Sequence, residues 1–277
     1  MSDYSSSSMR ESQALMRCSL GFVVLLTLGS GTANAVEAGA RADSMPTSVE
    51  GFELPNTLSP GSWYIKATTQ DLGGTPMSPR LSYGLAPGLE LTMSPSLVAS
   101  MGFNAMEIGL DLALKRRLLR MGFCNLSILG GGGIRAHTYS THTWHSDLAL
   151  PVSTDMGGAG VATLCPRWRT WHGGPRPDSA ELGLAYQRTL YRNLELWVTD
   201  NLIWAYGPNL DSSMTPDLPW REFAAGLRTS LVAGVHIDVT LFHLRTTIWP
   251  GPWTSLPLFQ VSVYVGNSGP GLLDAPR

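Results

Sequence analysis

Residues 88–97, GLELTMSPSL, and residues 104–114, NAMEIGLDLAL, decide the fold class. In the first, Leu89, Leu91, Met93 and Leu97 fall on one face, and Glu90, Thr92, Ser94 and Ser96 fall on the other. In the second, Met106, Ile108, Leu110, Leu112 and Leu114 oppose Glu107, Gly109, Asp111 and Ala113. Side chains of a strand point alternately to its two faces, so a period of two marks a strand with two different environments. The pattern recurs. Phe223, Ala225, Leu227, Thr229 and Leu231 oppose Glu222, Ala224, Gly226, Arg228 and Ser230, and Phe259, Val261, Val263 and Val265 oppose Leu258, Gln260, Ser262 and Tyr264. Acids and small residues on the second face suit a hydrated lumen better than the core of a sandwich. A sandwich remains the alternative if the apolar faces meet one another.

Composition points the same way. Charged residues make up 14% of the 277 residues, against a usual figure of about 25%. The longest apolar run, Cys18 to Leu28, is shorter than the roughly 20 residues a spanning helix requires. Membrane residence would therefore use strands. The run reads instead as a signal peptide over residues 1–35, with Arg10 and Arg17 before it and Ala33-Asn34-Ala35 after it as a small-residue cleavage site. Its removal takes Arg10, Arg17, Asp3 and Glu11 together, so the formal charge stays at −2. Neither nucleic acid nor an acidic surface is implied as partner.

Residues 36–60 contain Pro46, Pro55 and Pro60, lack sustained periodicity, and read as a periplasmic leader. The barrel is expected over residues 61–266, followed by a tail at 267–277. The alternation defines about twelve antiparallel strands: 62–70, 79–85, 88–97, 104–114, 119–130, 144–154, 159–168, 179–190, 193–206, 220–231, 234–248 and 256–265. Segments 79–85 and 144–154 are the least periodic, and without them ten remain. Tight turns at Ala86-Pro87-Gly88, Lys115–Leu118, Met156-Gly157-Gly158, Tyr191-Arg192-Asn193 and Val232-Ala233-Gly234 alternate with longer connections, the arrangement of a barrel with short periplasmic turns and long outer loops. Trp144, Trp168, Trp171, Trp204, Trp220, Trp249 and Trp253 lie at or just beyond strand ends on the longer-loop side, where an amphipathic ring favours the membrane interface. The expected architecture is an all-β, antiparallel transmembrane β-barrel in contact with outer-membrane lipid.

The run Tyr83-Gly84-Leu85-Ala86-Pro87-Gly88-Leu89-Glu90-Leu91, with Glu107-Ile108-Gly109-Leu110-Asp111 and Leu118-Leu119 after it, resembles the uncharacterised, transporter-like outer-membrane β-barrel proteins of Gram-negative cells. The resemblance implies an outer-membrane, porin-like transport protein and, as partner, the barrel-assembly machinery. That machinery reads a terminal aromatic residue in such barrels, whereas here Gly266 to Arg277 follow the last strand.

Candidate chemistry is sparse. His137, His142 and His145 share one expected outer loop, with His172 in the next, but the spacing matches no compact metal motif, and no metal or cofactor is expected. His145-Ser146-Asp147 sits near the outer leaflet, yet strand neighbours point apart and cannot form a nucleophile and base. A lipid-modifying enzyme is therefore the least supported function and no catalytic residue is assigned. Gly130 to Gly133 lacks the Lys-Ser/Thr of a phosphate loop and reads as a bend or loop entry. Lys115, Arg116, Arg117 and Arg120 read as a solvated turn. Cys124 and Cys165 survive export, but a strand between them argues against a disulfide. The inward set is Glu90, Glu107, Asp111, Glu181, Glu195, Glu222 and Asp238, with Lys66, Arg80 and Arg228 as counter-charges. It fits two functions equally: a narrow cation-lining channel for an unknown small solute, or an internal salt-bridge network in a non-conducting barrel that acts through its outer loops.

Overall fold

The computed structural model describes residues 48–49, 52–69, 79–100, 105–137, 142–173, 177–191, 194–206, 220–232, 234–245 and 260–267. The expected signal peptide, the tail beyond residue 267 and most of the long connections, including Trp249 and Trp253, lie outside the described residues.

Two short strands, β1 (Ser48–Val49) and β2 (Phe52–Glu53), pair with each other. The wall follows: β3 (Trp63–Thr69), β4 (Arg80–Ala86), β5 (Leu89–Ser100), β6 (Ala105–Met121), β7 (Cys124–His137), β8 (Thr143–Ala149), β9 (Val152–Asp155), β10 (Val161–His172), β11 (Asp178–Tyr191), β12 (Leu194–Tyr206), β13 (Trp220–Val232), β14 (Val235–Arg245) and β15 (Gln260–Gly266). Each wall strand pairs antiparallel with its neighbour, and β15 returns to β3 through Val261↔Thr69 to Gly266↔Tyr64. The result is a closed twelve-strand antiparallel barrel with one extra strand. Closure pairs every backbone edge inside the sheet, which is what permits strands to cross a bilayer.

The extra strand comes from a break. β8 and β9 together fill the place expected for residues 144–154, interrupted at Leu150-Pro151. The ladder is carried across the break, because Ser127 N donates to Pro151 O at 3.0 Å and Leu150 N donates to Pro166 O at 3.0 Å.

Two expectations on the β6–β7 hairpin need correction. The turn expected at Lys115–Leu118 lies inside β6, and the chain reverses at Gly122-Phe123, where Met121 pairs with Cys124. A register irregularity between Arg117 and Leu119 leaves both Leu118 and Leu119 exposed, so the alternation slips phase there and imitates a turn. Gly130–Gly133 is likewise mid-strand, paired with Leu114 to Asp111. A Cβ on Gly131 would meet Leu112 O at 2.7 Å, and one on Gly133 would meet the Asp111 carboxylate and His145 Cε1. These glycines make room for inward side chains on neighbouring strands.

The two faces come out as the alternation requires. Ile65, Tyr83, Leu91, Met93, Ile108, Leu112, Ile134, Leu164 and Leu184 are exposed on the outside, while Lys66, Ser82, Glu90, Thr92, Ser96, Arg228, Asp238 and Ser262 are buried inside. A cation facing lipid at mid-membrane costs about 2–4 kcal/mol. Leu112 is near the centre of β6, 48% exposed and opposite Met93 and Gly132, so Leu112→Arg should reduce the heat-modifiable, folded fraction well below that of Leu112→Ala. Equal folded fractions on a gel of unboiled samples would contradict the outward face.

Candidate functional site: the occupied lumen

The inside of the barrel is not an empty pore. Residues 52–59, expected in a leader outside the barrel, lie among its inward side chains. Phe52, Leu54 and Leu58 are 3%, 2% and 1% exposed. Phe52 and Leu54 cluster with Leu129, Ala149, Cys165, Ala185, Trp197 and Ala224, and Leu58 packs with Tyr64 and Tyr264. Small residues line the wall where the segment sits. At Gly183 a Cβ would come within 2.5 Å of the Phe52 ring, so side chains have been reduced there to seat it.

Polar bonds fix the segment along its length. Arg80 donates to both Glu53 oxygens (Nη1–Oε1 2.5 Å, Nη2–Oε2 3.1 Å). Lys115 Nζ donates to Glu53 Oε2 at 3.3 Å and to Leu54 O at 3.2 Å. Ser127 donates to Pro55 O, and Leu58 N donates to Glu90 Oε2 at 3.1 Å. At the tight-turn end the chain reverses through Ser59–Ser62 into β3, and Gly61 N donates to Gly84 O at 2.9 Å. Lys115 is therefore a buried lumen residue, 1% exposed, and not part of a solvated turn. The sequence offered little to find the segment, because it makes no ladder with the wall and has no period.

Further along the lumen, toward the longer connections, the inward charges are paired. Arg135 donates to Asp111 Oδ2 at 2.7 Å and to Ser96 Oγ at 2.7 Å. Asp147 accepts from Arg167 at 2.7 Å and from Arg169 at 2.8 and 3.1 Å. His145 Nε2 stands 3.7 Å from Asp111 and 3.8 Å from Asp147, with the Trp171 ring 4.6 Å from its own. A cavity of about 210 Å³ lies here, lined by Glu53, Arg80, Asp111, His145, Arg167 and Arg169 among others.

A third group ties β12 to β15. Arg228 forms a two-pronged pair with Asp238 at 2.6 and 2.8 Å, Tyr264 Oη donates to Asp238 at 2.7 Å, and Glu195 is 3.8 Å from Arg228. Lys66 lies 5.2 Å from the Tyr264 ring centre, and Ser179 donates to Glu181 at 3.3 Å. Of the expected inward set, Lys66, Arg80, Glu90, Asp111, Glu181, Glu195, Arg228 and Asp238 thus have described lumen surroundings. Glu107 shares the β6 parity of Asp111, and Glu222 that of Ala224 and Arg228 on β13. The sequence reading missed Glu53, Lys115, Arg135, Asp147, Arg167 and Arg169. Extending the alternation one residue past the expected end of β6 and across Gly130–Gly133 would have placed Lys115 and Arg135 inside.

The aromatic residues divide. Trp168 is 42% exposed on the outside, Trp204 pairs with Ala180 on the outward register, and Trp144 stacks on His172 at 3.7 Å. Trp171 is an exception to the expected girdle: it pairs with His145 and faces inward, with the Arg169 guanidinium 6.0 Å above its ring. Trp220 begins β13 at the same end of the barrel. His145 is likewise in a strand with its ring in the lumen, not in an outer loop; His142 is exposed just before β8, and the backbone of His137 ends β7. Cys124 and Cys165 are both free thiols.

No family model matches the sequence, and no curated relative does. Solved structures do match. The COG4313 outer membrane channel from Pseudomonas putida F1 superposes with a TM-score of 0.51 at 12% identity, covering 84% of this chain and 100% of that one. The KdgM porin (TM-score 0.47, 12% identity, 75% and 99% covered) and LpxR from Salmonella typhimurium (0.46, 11%, 76% and 100%) are more distant. The chain resembles Gram-negative outer-membrane barrel proteins in fold, at low sequence identity.

Proposed function

We propose that the protein is an outer-membrane channel for a small solute, exported by its signal peptide and closed at rest, near its tight-turn end, by its own residues 52–59. The observation that carries the reading is the cavity of about 210 Å³ that is lined by Glu53 of this segment together with charged side chains of the wall. A purely structural barrel has no need of a cavity lined on several sides by charge, and one filled by apolar side chains throughout would be simpler to fold. Pairing of Asp111, Asp147 and Asp238 with arginines argues that the inward acids neutralise a charged interior and do not form a bare ring selecting cations. Current in the parent is expected to be small, because the segment occupies the path.

Unseating the segment should open the path. Gly183→Leu places a side chain where the Phe52 ring rests, and planar-bilayer recording should then show conductance several-fold above that of the parent, with the unboiled protein still migrating as a folded barrel. Absence of current from both proteins, each shown to be folded, would reject the channel and favour the non-conducting interaction barrel.

A further inference from the structure

We propose that the Glu53 carboxylate occupies an anion site of Arg80, Lys115 and Arg167, and that a small carboxylate-bearing solute arriving through the adjoining cavity competes with Glu53 for it. The inference rests on the channel reading and names the solute class for that channel.

Four observations support it. Arg80 grips Glu53 with two nitrogens at 2.5 and 3.1 Å, and this two-pronged geometry is the one by which arginine recognises any carboxylate. Glu53 is also the one carboxylate bonded to Arg80 among the described residues, the only other bond of its guanidinium going to Thr92 at 3.5 Å, while Glu90 acts on it at longer range. The wall thus presents a cation whose anion is supplied by a separate, non-covalently seated segment. Next, donors are in surplus beside the cavity: the Nε atoms of Arg80 and Arg167 are buried with no hydrogen-bond partner. Last, Glu53 and Arg80 themselves line the cavity together with Arg167 and Arg169, so a solute in the cavity meets the site while the segment is in place.

Competition links binding to opening. A carboxylate taking Arg80 from Glu53 weakens one of the bonds that hold the segment, so solute and segment exclude one another at this point. Cys165 reports the consequence, because it is buried in the same apolar cluster as Phe52.

The test uses propionate as probe, with propionamide as its neutral isostere and chloride at equal ionic strength. In the full mature protein carrying Cys124→Ser, propionate should raise the rate of Cys165 modification by a maleimide several-fold, while propionamide and chloride should not. Glu53→Gln removes the competing charge, so the Kd for propionate, read from its thermal stabilisation, should fall about tenfold or more. Adding Arg80→Gln to Glu53→Gln should abolish that stabilisation. Propionate acting no better than propionamide or chloride, or acting equally after loss of Arg80, would overturn the proposal. If Glu53→Gln does not fold, Cys165 labelling in the otherwise unaltered chain decides alone. Neither readout is a current: propionate binding through Arg80 with no conductance in either the parent or Gly183→Leu would refute the channel and keep the site, and conductance without a propionate response would do the reverse.

Discussion

Replacing Arg228 by glutamine should lower the unfolding free energy in detergent by about 3–5 kcal/mol, because it leaves a buried carboxylate without its counter-ion. Asp238 and Arg228 are 0% and 1% exposed, so neither can recover its lost bonds from water. Asp238 would keep the Tyr264 hydroxyl at 2.7 Å, which offsets part of the loss. Glu195, 3.8 Å from Arg228, would lose the same cation. Removing both charges together, as Arg228→Leu with Asp238→Leu, should cost less than Arg228→Gln alone, since no charge then remains unpaired between those two positions. Urea unfolding of the purified protein checks this. A cost below about 1 kcal/mol for Arg228→Gln would mean the pair behaves like a hydrated surface pair, and the interior there would have to be wetter than the geometry indicates.

Much of the wall was legible in the sequence, for a physical reason. A lipid-facing strand has apolar side chains at every second position, so Leu89, Leu91 and Met93 against Glu90 and Thr92 announce both strand and facing. The same signal fails where the pattern is interrupted locally. At Arg117–Leu119 a register irregularity shifts the phase, and in Gly130–Gly133 the absence of side chains removes the pattern while the ladder continues. Interior pairs such as Asp111 with Arg135, or Asp147 with Arg167 and Arg169, needed the register across strands that a single sequence does not give.

The occupant of the lumen was legible least. Phe52, Leu54 and Leu58 are apolar positions in a stretch broken by Pro55 and Pro60, and read alone they look like irregular leader. Their counterparts are the small lumen residues Gly183, Ala185, Ala149, Cys165 and Ala224, which look like the ordinary small residues of a barrel interior. Only the three-dimensional register brings the two sets together, as knobs and the space left for them. Glu53 is the clearest instance: one of four acids between residues 36 and 60 in sequence, it is paired with Arg80 and Lys115 of the wall in space.

The segment's place in the lumen is tested most directly by a double-mutant cycle on Glu53 and Arg80, measured by unfolding of the folded, detergent-purified protein. Glu53 is 6% exposed and its carboxylate meets Arg80 at 2.5 Å and Lys115 at 3.3 Å. Glu53→Gln should cost about 3–5 kcal/mol, since it takes from the buried Arg80 its bonded carboxylate, and Arg80→Gln should cost less, since Glu53 keeps Lys115 at 3.3 Å. Together they should cost well under the sum, by about 1–3 kcal/mol, because contacting residues couple and residues more than about 7–10 Å apart do not. Strictly additive costs would place Glu53 away from Arg80 and contradict a lumen occupied by the N-terminal segment.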